Sequence, residues 1–247
     1  MELKQIDKSD SAISEKKNPL VKICANKTIE DAKMCLDANA DLLGILVGQN
    51  HNSTDFVDKE KAKGIVNYVN HRAGCVLVTH LTDADEIIAL TKFIGNDYIQ
   101  LHSDISETEV KKIASALPNV KLIRLIHVAQ NGKIETEYNK FEFVDFYLLD
   151  SFNKSTDQVG GTGIVHDWNV DKKLVQRLNK PTFIAGGLNP NNVADVIKIA
   201  NPAGVDVNSG CKKDGIKNAE LVKKFVINAK LAKQPKHNLD DCPEMSL

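Results

Sequence analysis

Short apolar runs, rich in β-branched residues, alternate with amphipathic segments along most of the chain. Eight of these runs are typical of buried strands, because each is short and is bounded by turn-forming residues. The predicted strands cover residues 20–24, 42–47, 75–78, 98–101, 120–126, 144–149, 182–185 and 204–207.

A helical pattern follows nearly every predicted strand. The first helix opens at Thr28, with Asp31 three residues later as a variant of the capping box. Further helices are predicted over residues 59–69, 83–93, 107–116 and 170–178, from Pro190 and from Lys217, with a weak segment at 134–140.

This alternation predicts an α/β fold with a parallel sheet, since parallel neighbours need crossover helices. Eight such units are what a single (β/α)8 TIM barrel requires. An open, doubly wound sheet is the alternative, because the pattern does not distinguish a closed sheet from an open one. The predicted organisation is a polar extension over residues 1–18, a barrel over 19–232 and a polar tail over 233–247.

Composition narrows the class of partner. The 247 residues include 32 basic and 33 acidic side chains, and no basic stretch is interleaved with aromatics, so no nucleic-acid partner is expected. No apolar run approaches the roughly 20 residues that span a bilayer. The start of the chain is too polar for a signal peptide, and we expect a soluble, cytoplasmic protein without a membrane partner.

The five cysteines, at positions 24, 35, 75, 211 and 242, form no CxxC pair or Cys/His cluster. This spacing argues against a disulfide framework and against a metal site, so no metal is expected.

Glycine groups follow the last three strands of the predicted barrel. In barrels, phosphate is often held by the loops after strands seven and eight, where backbone N–H groups and a helix N-terminus converge. Ordinary tight turns are the alternative for any one of these groups. Together they predict a small phosphorylated substrate, and the candidate residues are Gly161, Thr162, Gly163, Gly186, Gly187, Ser209 and Gly210.

Two residues with acid–base chemistry close predicted strands. Cys24 ends the first strand and Asp150 ends the sixth, so a barrel would place both at its catalytic rim. They could form a base and acid pair, although Cys24 also fits a buried apolar role and Asp150 a cap. His102 is a candidate for lining the pocket. Asp206 lies inside an apolar strand, where it needs a hydrogen-bonding partner and could orient the site.

Seven short motifs occur in an order that resembles the phosphoribosylanthranilate isomerase family, over roughly residues 20 to 230. Each motif is weak alone, and the combination is specific. They are Lys22-Ile23-Cys24, Gln100-Leu101-His102, Leu148-Leu149-Asp150, Gly160-Gly161-Thr162-Gly163, Asp167-Trp168, Ala185-Gly186-Gly187-Leu188-Asn189-Pro190 and Asp206-Val207-Asn208-Ser209-Gly210.

The resemblance implies a single-domain barrel without metal or organic cofactor that catalyses an Amadori rearrangement in tryptophan biosynthesis, as a monomer or homodimer. Cys24 matches the general base that removes the sugar C2 proton, and Asp150 the general acid that protonates the ring oxygen. Lys22 and Asp206 match positions that line the site. The glycine groups, with Ser209, match the phosphate-binding loops.

The chain departs from the family pattern at several positions. Where the family usually has glycine, this chain has Ala25 and Ser103, and Ile164 stands in place of a lysine. Asp55 occupies the position of an arginine that contacts the anthranilate carboxylate in the family. The carboxylates of Asp55 and anthranilate would repel each other, so a cation elsewhere in the chain would be needed to bind the anthranilate carboxylate. Arg72 and Arg124 are the candidates.

Three hypotheses follow. The first is an isomerase acting on N-(5-phosphoribosyl)anthranilate. The second is a related barrel isomerase acting on another phosphorylated aminoaldose that lacks the carboxylate. The third is a non-catalytic homologue that binds a sugar phosphate.

Overall fold

The computed structural model describes residues 18–49, 53–129, 141–153, 158–159 and 168–232. Four sequence-based expectations lie outside the described residues: the extension as far as residue 17, the weak segment at 134–140, the glycine group at 160–163 and the tail from 233.

Eight parallel strands close into a ring. Each pairs with the next along the chain, and the last pairs with the first through Leu20 and Gly204. This closure confirms the barrel and excludes the open sheet. The strands are β1 Leu20–Ile23, β2 Leu42–Leu46, β3 Gly74–Thr79, β4 Tyr98–Leu101, β5 Lys121–Ala129, β6 Phe146–Asn153, β7 Thr182–Ile184 and β8 Gly204–Val207.

The described helices lie where the pattern places them, with three shifted starts. The helix predicted over residues 170–178 begins two residues earlier, at Trp168. Asn218 caps the last helix with its side chain, so this helix begins at Ala219 and not at Lys217, which lies in a short strand. The preceding helix begins at Val193, after the turn that follows Pro190. The helices are α1 Ile29–Asp37, α2 Lys59–Val69, α3 Ala84–Ile94, α4 Glu107–Ala116, α5 Trp168–Arg177, α6 Val193–Ala200 and α7 Ala219–Leu231. None of them is long and apolar enough to cross a membrane.

Side chains alternate between the two faces of every strand, as the strand period requires. Those that point outward pack against the helices and form the larger core. Most of those that point inward fill the barrel with an apolar plug, and each large apolar side chain buried there stabilises the fold by about 1.5–3 kcal/mol. The plug includes Leu42, Val76, Val78, Ile123, Leu125, Leu148 and Phe183.

Candidate active site

The inward-pointing positions become polar at the carboxyl ends of the strands. The apolar plug ends there, and the next residues on the same face carry a thiol, imidazoles, a carboxylate and an amide. In a (β/α)8 barrel this end carries the active site. These rim residues are Cys24, His80, His102, His127, Asp150 and Asn208.

A buried ion pair forms the floor beneath Cys24. Lys22 on β1 and Asp206 on β8 are Cα partners across the strand pair, and Lys22 Nζ lies 2.8 Å from Asp206 Oδ2. Burial alone would lower the pKa of Lys22, but the charges and hydrogen bonds of Asp206 and Cys24 outweigh it and raise that pKa. Asp206 therefore has the partner that its place in an apolar strand requires.

Gly44 on β2 makes room for both functional side chains of β1. A Cβ atom at Gly44 would lie 2.9 Å from Cys24 Sγ and 3.2 Å from Lys22 Nζ, closer than carbon normally approaches. Sequence reasoning missed this residue, although a glycine inside an apolar strand is a known sign of close approach.

A second buried lysine binds the backbone of Cys24. Lys217 is 5% exposed, and its ammonium donates a 2.8 Å hydrogen bond to the backbone carbonyl of Cys24. Burial raises the pKa of the Cys24 thiol, while the positive charges of Lys22 and Lys217 act to lower it. Nothing in the sequence pattern marks Lys217, because it lies 193 residues from Cys24.

The turn after β1 uses a left-handed backbone. Ala25 has φ of +56°, which explains why the family usually has glycine at this position. Asn26 then fixes the turn, because its amide donates to the carbonyls of Ile23 and Gly44 at 2.8 and 3.0 Å. This buried amide holds the end of β1, and with it Cys24, against β2.

Replacing Ala25 with glycine is expected to raise the free energy of unfolding by about 0.5–1 kcal/mol, because glycine removes the steric cost of this φ. Chemical denaturation measures the change. Ser103→Gly is the matched control: Ser103 also replaces a family glycine, but its φ is not positive and its hydroxyl donates to the His80 carbonyl. The control is expected to lower stability, and equal effects from both variants would contradict this account.

Three imidazoles follow one another along the rim over β3, β4 and β5. The ring centroids of His80 and His102 are 4.9 Å apart, and those of His102 and His127 are 6.5 Å apart. Gln100 Nε2 lies 3.0 Å from His102 Nδ1, and His127 is the Cα partner of Asp150 on the next strand. Within the described ranges, no group of three or more His, Cys, Asp or Glu side chains is placed to hold a metal ion.

Backbone groups dominate the rim at β7 and β8. Gly186 and Gly187 have φ of +82° and +66°, a conformation that other residues rarely adopt. The loop after β8 packs tightly on this turn, because a Cβ atom at Gly210 would lie 1.9 Å from the Leu188 carbonyl oxygen. The exposed Ser209 begins a short 3-10 helix. The loops after β7 and β8 are therefore in contact, and their glycines leave the backbone open to a close approach by a ligand.

Asp55 does not face the pocket as an unpaired carboxylate. Lys212 Nζ lies 2.7 Å from each of its oxygens, and the Asn208 amide donates to Oδ2 at 2.9 Å. Burial would raise the pKa of Asp55, but these hydrogen bonds and the charges of Lys212 and Lys27 outweigh it and lower that pKa. The carboxylate repulsion expected from the sequence is therefore compensated within the protein.

Neither candidate arginine points into the pocket, so neither supplies the cation there and that prediction is wrong. Arg72 donates to backbone carbonyls at the end of α2, which is the opposite end of the barrel. Arg124 points outward from β5, since its neighbours Ile123 and Leu125 point inward, and it binds the Ser103 carbonyl and Asp104.

The structure brings most of the predicted site residues to one end of the barrel. Around the ring lie the side chains of Cys24, His102 and Asp150, with Lys22 and Asp206 below them. Gly186, Gly187, Ser209 and Gly210 lie on the two adjoining loops. Gly161, Thr162 and Gly163 fall outside the described residues.

Comparison with known proteins agrees with this geometry. The family described as N-(5'-phosphoribosyl)anthranilate isomerase matches residues 21–228. N-(5'-phosphoribosyl)anthranilate isomerase 2 of Methanosarcina mazei is 40% identical over 211 residues, which are 85% of this chain and 93% of the relative.

Solved structures of the same family superpose on the chain. The isomerase of Pyrococcus furiosus has a TM-score of 0.71 at 29% identity, covering 86% of this chain and 98% of the relative. Another, bound to reduced 1-(o-carboxyphenylamino)-1-deoxyribulose 5-phosphate, has a TM-score of 0.68 at 25% identity with the same coverage. These matches confirm the resemblance seen in the motifs. The chain belongs to the N-(5'-phosphoribosyl)anthranilate isomerase family.

Proposed function

We propose that this chain isomerises N-(5'-phosphoribosyl)anthranilate to 1-(o-carboxyphenylamino)-1-deoxyribulose 5-phosphate by acid–base catalysis, as a step of tryptophan biosynthesis. The observation that carries the proposal is the position of Cys24 and Asp150 at the rim, on the two strands that flank β7 and β8. A sugar whose phosphate lies on the loops of β7 and β8 extends between these two side chains. Cytoplasmic location and a monomeric or homodimeric state stay predictions.

The phosphate is assigned to the loops that follow β7 and β8. The backbone N–H groups around Gly186, Gly187 and Gly210 supply hydrogen-bond donors, and the N-terminus of α6 adds a favourable dipole. Gly161, Thr162 and Gly163 are assigned to the same phosphate on the family motif alone.

Ring opening is the first chemical step. Asp150, in its protonated form, gives its proton to the furanose oxygen as the C1–O bond breaks. The lone pair of the anthranilate nitrogen forms the C1=N bond that replaces it. A carboxyl group at the rim, 8% exposed, is well placed for such a transfer because little water competes for the proton.

Proton removal from C2 is the second step. The Cys24 thiolate takes the proton, the C–H electron pair forms a C1=C2 double bond, and the C=N pair returns to nitrogen. The resulting enaminol loses its hydroxyl proton and gains a proton at C1, which gives the ketose. Lys22 and Lys217 stabilise the thiolate by charge, and this is their role in the mechanism.

The anthranilate ring is assigned to the arc of the rim over β2 to β5. Cys24 and Asp150 divide the ring of strands in two, and the phosphate takes the shorter part. The longer part carries Phe56 and the imidazoles of His80, His102 and His127, whose rings follow one another in contact. Aromatic and imidazole rings offer a suitable surface for an aromatic aglycone.

The Cys24 thiol is expected to react with iodoacetamide increasingly as the pH rises, with an apparent pKa above that of an ordinary cysteine. Only the thiolate reacts, and burial raises the pKa of this thiol. Mass spectrometry of the Cys24 peptide follows the labelling. Lys217→Met should move the pH profile of labelling to still higher pH, because it removes a positive charge that lowers the pKa of Cys24. Lys213 is exposed, and the control variant Lys213→Met should leave the profile unchanged. An unshifted profile in Lys217→Met would refute the role given to Lys217.

Turnover of freshly generated N-(5'-phosphoribosyl)anthranilate tests the proposed function. The fluorescence of the substrate should fall rapidly with the purified protein, and the product should be the aminodeoxyribulose phosphate and not free anthranilate. A folded protein that leaves the substrate decay at its spontaneous rate would overturn the proposal.

A further inference from the structure

The rim needs a cation for the aglycone carboxylate, and no arginine supplies it. The chain has three arginines, at positions 72, 124 and 177. The first lies at the amino end of the barrel and the second points outward from β5, as described above. Arg177 ends α5, and helices of a barrel run back toward the amino end of the strands. A lysine or a histidine must take the role.

Lys212 is the lysine that the geometry favours. It follows β8, and its ammonium reaches past the end of β1 to Asp55 in the loop after β2. The two side chains are 11% and 17% exposed, so the pair is largely shielded but still reached by solvent. An ammonium has three N–H donors, and two contacts to Asp55 leave at least one of them for a ligand.

Two lysines act on the Asp55 carboxylate. The carboxylate lies under the influence of two cations, Lys212 in direct contact and Lys27 from the turn after β1. Of these two lysines, only Lys212 is in hydrogen-bond contact with the carboxylate. Asp55 therefore positions the ammonium of Lys212, and an N–H donor that Asp55 does not use can still meet an anionic ligand.

Asn208 ties this cluster to the catalytic strands. Its amide donates to Asp55, and its own Oδ1 is buried without a hydrogen-bond partner among the described residues. A buried acceptor of this kind is normally satisfied, and a donor from a bound molecule can satisfy it here. Asn208 lies two residues after Asp206, so the cluster adjoins the floor beneath Cys24.

We infer that Lys212, held in place by Asp55 and Asn208, is the specificity-determining residue that binds the carboxylate of the aglycone. The inference rests on the proposed function. It reverses the expected arrangement, because the acidic residue at position 55 organises the site and the cation comes from the loop after β8.

Binding measurements test this assignment independently of turnover. Isothermal titration with reduced 1-(o-carboxyphenylamino)-1-deoxyribulose 5-phosphate and with its phenylamino analogue, which lacks the carboxylate, gives the preference for the carboxylate as a ratio of Kd values. Lys212→Met is expected to reduce that preference about 10- to 100-fold, as loss of one charge-assisted hydrogen bond does. Binding of ribose 5-phosphate should not change, which separates a carboxylate ligand from a phosphate ligand.

Two further variants sharpen the test. The neighbouring Lys213 is exposed, and Lys213→Met should keep the full preference. The double variant Asp55→Arg with Lys212→Glu moves the cation to the other partner of the pair, and it should regain the preference that Lys212→Met loses.

The outcomes are distinct. A wild type without any preference for the carboxylate, or a Lys212→Met variant that loses affinity for both analogues or for ribose 5-phosphate equally, would overturn the assignment. Failure of the wild type to turn over its substrate would instead overturn the proposed function, and the binding ratio would still decide the role of Lys212.

Discussion

Cys24→Ala is expected to lower kcat for N-(5'-phosphoribosyl)anthranilate by about 10²–10⁴-fold, the usual range for loss of a positioned general base. The thiol is the titratable group that sits directly above the Lys22–Asp206 pair, and alanine leaves no group to accept the C2 proton. Because the thiol contributes little to binding, KM and the Kd of the reduced product analogue should change much less than kcat.

Cys75→Ala is the matched control for this loss. Cys75 is also buried and also lies on a barrel strand, but its side chain points outward into the helix layer. The control should lose some stability and keep kcat. Steady-state kinetics measures both variants, and circular dichroism verifies that they fold. The assignment of Cys24 as the base would be refuted if Cys24→Ala kept the wild-type kcat or if both variants lost activity equally.

Lys22→Met is expected to lower the free energy of unfolding by about 3–5 kcal/mol, because it leaves the carboxylate of Asp206 buried without its positive partner. Lys22 is fully buried and Asp206 is 7% exposed, so water does little to solvate the carboxylate left behind. Because the pKa of Lys22 is raised in the folded protein, the ion pair contributes its full stabilising free energy at pH values below the pKa of a lysine in the unfolded chain. That contribution is lost as the pH rises through the higher folded value.

The double variant Lys22→Met with Asp206→Leu shows whether the loss of stability in Lys22→Met comes from the unpaired buried charge or from poorer packing. Replacing both partners with apolar side chains leaves no charge unpaired, so much of the lost stability should return. Urea denaturation at neutral pH measures both variants. A double variant as unstable as the sum of two single changes would show that packing, and not the unpaired charge, sets the cost.

The fold followed from local pattern. The strands 98–101 and 204–207 and the helix 107–116 lie where the hydrophobic period placed them, because buried strands and amphipathic helices are decided by neighbours along the chain. The same period predicted that Cys24 and Asp150 would share the rim. Strand alternation could also have excluded Arg124 from the pocket. Arg124 lies between Ile123 and Leu125, and it must point to the opposite face of the sheet from these two inward-pointing residues.

The charge pairs between the loops of β1, β2 and β8 could not be predicted from the sequence. Asp55 and Lys212 are 157 residues apart, and Lys217 reaches the Cys24 carbonyl over 193 residues. No local pattern links such positions, since only closure of the barrel brings the loops of β1, β2 and β8 together. Asp55 alone therefore suggested a site hostile to a carboxylate, while its partner reverses that conclusion.

The central claim is tested most directly with substrate that carries deuterium at C2 of the ribose. The wild-type protein should consume it with a normal primary isotope effect, and NMR of the product should show a ketone at C2 from which the deuterium has gone. Cys24→Ala should leave the label in place. Loss of fluorescence with deuterium still at C2, together with release of free anthranilate, would indicate hydrolysis and contradict isomerisation by Cys24 and Asp150.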